Sequence, residues 1–174
     1  MRALLDAVYK ASGIAAGLCL VAIAVLSLTQ IVARMFGSTA SSFDEFAGYA
    51  LAASSFLGLA YTLRAGEHIR MSLGIDRLRG GARRGVEILC LVATAGVVGY
   101  FAWATADMTV TSYQLDDVAQ GLVPVQLWIP QSTTAIGLWI LLIALLDDLV
   151  ATLRGRDPSY ATPQTRDDGS SFER

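Results

Sequence analysis

The chain has 174 residues, of which 54% are hydrophobic and only 16% charged, and its mean hydropathy is +0.52; a soluble domain carries about 25% charge. A formal net charge of −2, with six of the thirteen basic residues gathered in one connector, excludes the basic stripe of a nucleic-acid-binding surface. Two cysteines, Cys19 and Cys90, both lie inside apolar runs and imply neither a disulfide framework nor a metal site.

The apolar residues come in blocks. Four intervals are free of Asp, Glu, Lys and Arg: 11–33, 46–63, 88–106 and 118–146, of 23, 18, 19 and 29 residues. Each is long enough to cross a bilayer as a helix, which takes roughly 17 to 25 residues. Four buried helices of a soluble bundle would instead show polar outer faces with charge every few residues. The fold class expected is therefore an all-α integral membrane protein with four transmembrane helices.

The N-region, MRALLDAVYK, precedes the first run, which ends at Thr29, Gln30 and Arg34. That run is too long for the apolar segment of a signal peptide and no small-x-small cleavage site follows it, so an uncleaved first helix is expected. A Gly- and Ser-rich turn leads to Asp44 and Glu45. Carboxylates at the start of a helix complement its dipole, with Ser41 or Ser42 as the N-cap; a contact to a partner would place them there equally well.

The second run carries Ala50, Ser54 and Gly58 at steps of four. Small residues in such a row let another helix approach closely, within the chain or from a partner. Ala95 and Gly99 on the third helix, and Gly13 and Gly17 on the first, repeat the device.

The connector RAGEHIRMSLGIDRLRGGARR, residues 64–84, holds six of the thirteen Lys and Arg residues and the one histidine, His68. Its apolar side chains alternate with polar ones and also fit a helical stripe, so a short interfacial segment between helices two and three is expected, helical or extended. The third helix is expected over about residues 86–108, with Trp103 near its far end at the depth that indole rings favour. The next connector, 107–126, has Asp107, Asp116 and Asp117 and no Lys or Arg. Pro124 and Pro130 bracket the entry to the fourth helix, where a first-turn proline is tolerated, and Asp147 and Asp148 close it. From Gly155 the tail has the Pro, Ser and charge content of a disordered segment, dividing the chain into a membrane domain, 1–154, and a cytoplasmic tail, 155–174.

Orientation follows from the basic residues, because Lys and Arg in short loops resist translocation. With both termini in the cytoplasm, twelve of the thirteen lie inside and only Arg34 outside. Outside, Arg34, Asp44, Glu45 and Asp107 are expected to form a periplasmic charge cluster, since an isolated charge at that depth is costly.

No apolar run has an ionisable residue near its centre, which a self-sufficient transporter would need. Helix histidines for haem and an exposed cysteine pair for thiol chemistry are also missing, and an intramembrane Ser/His hydrolase would lack its base. No catalytic, substrate or metal site and no cofactor is expected; lipid and partner helices are.

The run FDEFAGYALAASSFLGLAYTLRAGEHIRMSLGIDRL, residues 43–78, resembles the small membrane subunit of tripartite ATP-independent periplasmic (TRAP) transporters, the DctQ family. The resemblance rests on the acidic pair Asp44 and Glu45, where the family more often has two glutamates, and on the Phe56-Leu57-Gly58 segment. It rests also on the cytoplasmic motif of Arg64, Gly66, Glu67, His68 and Arg70, and on the Pro124, Trp128, Ile129, Pro130 element. It covers about residues 10–154. The resemblance implies a bacterial inner-membrane, non-catalytic subunit that pairs with a large DctM-like permease subunit, fed by a DctP-like periplasmic solute-binding protein, in sodium-coupled uptake of small organic acids. A scaffold subunit of an unrelated membrane complex is the rival reading, and a self-sufficient small transporter the third.

Overall fold

The computed structural model describes residues 2–37, 42–64, 81–121 and 123–154. They form four helices: α1 (Arg2–Met35), α2 (Ser42–Arg64), α3 (Gly81–Gln114) and α4 (Trp128–Leu153). All four are long and apolar enough to cross a membrane. The interfacial segment, the residues from Gly66 to Arg70 of the cytoplasmic motif, the N-cap position Ser41 and the tail lie outside the described residues.

Ser and Thr residues do not interrupt these helices, because their hydroxyls donate back to carbonyls one turn earlier. Thr29 donates to Val25 O at 2.8 Å, Ser55 to Leu51 O at 2.8 Å and Thr109 to Thr105 O at 2.7 Å. Such back-bonding satisfies a hydroxyl where no water is present.

Two helix ends are set by left-handed residues. Gly37, with φ 75°, follows α1, and its N–H bonds to Arg34 O at 3.0 Å. After α3 the same role falls to Asp116, with φ 50°. Here Asp117 N–H reaches back to Ser112 O at 3.0 Å and Asp116 N–H to Tyr113 O at 3.4 Å, the paired bonds of a Schellman cap. The third helix thus runs from Gly81 to Gln114 and not over 86–108 as expected, and Asp107 belongs to the helix instead of opening the connector. A single carboxylate does not end a helix when nothing after it breaks the pattern. The connector that remains is compact: Ala119 N–H bonds Val125 O at 2.8 Å and Leu127 N–H bonds Asp117 O at 3.0 Å. Pro130 falls in the first turn of α4, where its missing N–H leaves no intrahelical bond unmade.

The helices pack in an open row, α1–α2–α4–α3, with α1 meeting α4 only marginally. One end of this row is well packed. There the start of α1 (Tyr9), the end of α2 (Ala60, Leu63), the start of α3 (Leu91, Ala95) and the end of α4 (Leu141, Ala144, Leu145) form one buried cluster. Since lipid chains are as apolar as leucine, contacts of this kind gain through close fit, which explains why alanines supply so much of the cluster. At 34 residues each, α1 and α3 are about 51 Å long against an apolar bilayer core of about 30 Å. The excess is taken up by tilt or by extension past the membrane surface.

Candidate functional site

Three kinds of feature could carry function here: the helix contacts, the charges at the two ends, and the faces left open. The contacts between α1 and α2 are made by small residues. A Cβ on Gly13 would lie 2.8 Å from the Tyr61 ring, and one on Gly58 would lie 3.7 Å from Ala16 Cβ. Ser54 is buried and Ala50 half-buried on the same helix. On α3, Ala95 belongs to the buried cluster and Gly99 faces Leu142 of α4 at 3.7 Å. Gly17, by contrast, has nothing within 4 Å, so the small residues of α1 are not all contact residues.

The tightest approach between two helices falls at a residue that the small-residue rows do not contain. A Cβ on Gly137 of α4 would lie 2.6 Å from the Phe56 carbonyl carbon and 2.9 Å from Leu57 N. Backbone meets backbone there, and no side chain can move aside to make room. The signal was a lone glycine in the apolar run AIGLWILLIALL, where glycine weakens the helix and so calls for a packing reason.

At the end where α1 finishes and α2 begins, Arg34 and Asp44 form an ion pair at 4.0 Å, with both side chains about two-thirds exposed, 68% and 67%. The Tyr49 hydroxyl donates to Glu45 Oε1 at 2.7 Å, and the Glu45 carboxylate lies against Gly121 of the α3–α4 connector, where a Cβ would collide with it. Glu45 therefore ties the start of α2 to that connector, while Asp44 ties it to α1. Asp107 takes no part: it lies on α3, at the opposite edge of the row from α1, with no ion pair among the described residues. The expected four-member cluster is thus a pair, Arg34 with Asp44, with Glu45 beside it.

At the other end Arg84, in the first turns of α3, donates through Nη2 to Thr152 O at 2.9 Å and Leu153 O at 3.0 Å. A cation on the last carbonyls of a helix satisfies acceptors that lack an intrahelical donor and complements the dipole. Asp148 and Glu87 are buried nearby, at 1% and 9% exposure. In the sequence Asp148 closes the fourth helix, and its burial depends on tertiary packing.

Three contacts fix how α3 and α4 align. Arg84 meets the end of α4, Gly99 meets Leu142, and the Tyr113 ring packs edge-on against Trp128 with centroids 5.6 Å apart. Asp107 precedes Tyr113 by six positions, about 9 Å along the helix. It therefore lies level with Thr134 of α4. Trp103, expected near the far end of its helix, instead stands eleven residues before the end of α3.

Among the described residues no group of three or more His, Cys, Asp or Glu side chains could hold a metal ion. The chain matches no curated protein and no solved structure. Residues 23–155 match the family model described as tripartite ATP-independent periplasmic transporters, DctQ component, a family of transporter components and not of enzymes. The chain, a multi-pass membrane protein of four apolar helices, belongs to the DctQ family and is a small membrane subunit of a TRAP transporter.

Proposed function

We propose that this subunit braces a large permease subunit of the bacterial inner membrane during sodium-coupled uptake of a small organic acid, which a periplasmic binding protein delivers. The subunit touches neither substrate nor coupling ion. The observation that carries this reading is the open row of helices α1–α2–α4–α3: a row of helices with uncovered faces does not enclose a path for a polar solute, whereas it can lie along a larger partner. A partner that moves its substrate site across the bilayer needs a fixed element to move against.

In this reading both termini and the motif of Arg64, Gly66, Glu67, His68 and Arg70 face the cytoplasm, and Arg34, Asp44 and Glu45 face the periplasm. The positive-inside bias supports that orientation. Ala50, Ser54 and Gly58, with Ala95 and Gly99, hold the row together so that its outer faces stay in register with the partner.

The test is reconstitution of the large subunit and the binding protein in liposomes under a sodium gradient, with and without this chain. Uptake is expected only when the chain is present, and Gln30→Ala or Thr94→Ala is expected to leave substrate choice and sodium dependence unchanged. Full sodium-driven uptake without the chain would overturn the brace, and uptake by the chain alone would make it a transporter.

A further inference from the structure

We infer that the Glu45 carboxylate is the clasp that fastens the α3–α4 hairpin to the α1–α2 hairpin at the end where α2 begins, and that Gly121 is a glycine in order to receive it. The inference goes beyond the brace reading, because it assigns a task to the acidic pair at the start of α2, to which that reading gives none.

The row consists of two hairpins, α1 with α2 and α3 with α4, which meet along α2 and α4. Midway along α2 this seam is closed by backbone against backbone, Gly137 on Phe56. Glu45 precedes Phe56 by eleven positions, about 16 Å along the helix, and there the seam is closed a second time. Two separated contacts fix the angle between the hairpins, which one contact alone leaves free. A Cβ on Gly121 would lie 2.7 Å from the Glu45 carboxyl carbon and 2.8 Å from Oε1, with Oε2 nearer still, and these are the three atoms nearest to it. Nothing else calls for glycine at this position. Gly121 is exposed, and the left-handed residues among those described are Gly37 and Asp116.

The carboxylate is aimed by its own helix. Tyr49, one turn on, donates its hydroxyl to Oε1 at 2.7 Å, and the Tyr49 ring is itself held edge-on by Phe46, with centroids 6.3 Å apart. The receiving loop is held as well: Ala119 N–H bonds Val125 O at 2.8 Å and Leu127 N–H bonds Asp117 O at 3.0 Å, which closes the connector around Gly121. Cα–H groups donate weakly to oxygen, and a methyl at this position would push the carboxylate away. Successive residues of a helix point about 100° apart, so the two acids diverge. Asp44 turns to Arg34 of α1, inside its own hairpin, and Glu45 turns to the other hairpin. One acid closes a hairpin and the other joins the two.

Amide hydrogen exchange of the full chain in detergent micelles tests the clasp, read at the Ala119 and Leu127 amides that close the connector. Glu45→Ala is expected to raise exchange at both about tenfold, the mark of a locally loosened segment. Gly121→Ala is expected to do the same, because its methyl displaces the free end of the Glu45 side chain. The double variant is expected to match either single one, since there is one contact to lose. Asp44→Ala is expected to leave both amides unchanged. Unchanged exchange in Glu45→Ala or in Gly121→Ala would overturn the clasp. So would a double variant whose rise is the product of the two single rises, because the two residues would then act independently. An equal rise with Asp44→Ala would overturn it too, since the cause would be lost charge at the helix start and not the contact. Where Glu45→Ala does not fold, Gly121→Ala, one methyl in an exposed loop, decides the question by itself.

Discussion

The two outer helices of the row are equally long and present very different faces. Along α1 the exposed stripe is Ile14, Leu18, Val21, Val25, Leu28 and Val32, aliphatic throughout, with no charge between Lys10 and Arg34. Along α3 an exposed stripe of Gly96, Tyr100, Trp103, Asp107, Val110 and Gln114 mixes a glycine, two large aromatic rings, a carboxylate, a valine and an amide. Leucine and valine gain nothing by leaving lipid for another helix, whereas a carboxylate needs water or a hydrogen-bond donor. Exposure alone therefore does not distinguish a lipid face from a partner face in a membrane protein. The chemistry each face carries is what differs.

The comparison presupposes the row, and the most damaging change is one that dismantles it. Gly137→Leu puts a side chain into the Phe56 backbone, which forces α2 and α4 apart. Overpacking alone costs about 1 to 3 kcal/mol, and where rigid backbone blocks the way we expect the upper end of that range or more, seen as loss of folded, monodisperse protein on size exclusion. A milder result would mean that the two helices can slide and that the row is not rigid.

Next in size is a charge moved to the other edge. Val21→Asp, 60% exposed on α1, is expected to cost about 2.5 to 3.5 kcal/mol of insertion free energy if that face meets lipid, read in a membrane-insertion assay. Insertion at the wild-type level would show that α1 is not the lipid edge.

Each edge also has one arginine that ties it to a neighbour. Arg84→Ala removes two hydrogen bonds from a cation to the end of α4 and should lower stability by about 1 kcal/mol, discounted from the range for charged hydrogen bonds because the side chain is partly solvated. Hydrogen exchange in the last turn of α4 should rise accordingly, and unchanged exchange would mean that Arg84 does not cap that helix. Arg34→Ala removes an exposed pair at 4.0 Å, and its effect should be about 0.5 kcal/mol or less and vanish with added salt. A larger loss would give the α1 edge a structural ion pair that its exposure argues against.

Much of this was legible along the chain. Four blocks without charge became four helices, and the acidic pair at the start of α2 is where the pattern put it. Asp107 was misplaced because a charge at the end of an apolar run looks like a boundary. In fact MTVTSYQ continues the helix to Gln114, and the stop is a Schellman cap centred on Asp116, a position that usually belongs to glycine. Gly137 stands alone in its run and lacks the periodic spacing that marks the rows of small residues. Arg84 could not be distinguished from the five other arginines of its connector until α3 had a neighbour.

What the sequence by itself determined is the number of membrane helices and the family, since hydropathy is a property of each residue and a motif is a property of neighbours along the chain. The order α1–α2–α4–α3, the level of Asp107 against α4 and the choice of which faces remain open were decided only in the tertiary structure. Each of these depends on which helix lies beside which and at what offset. That relation is set by fits such as Gly137 against Phe56 and Gly13 against Tyr61, where the two partners are far apart in sequence and neither marks the other.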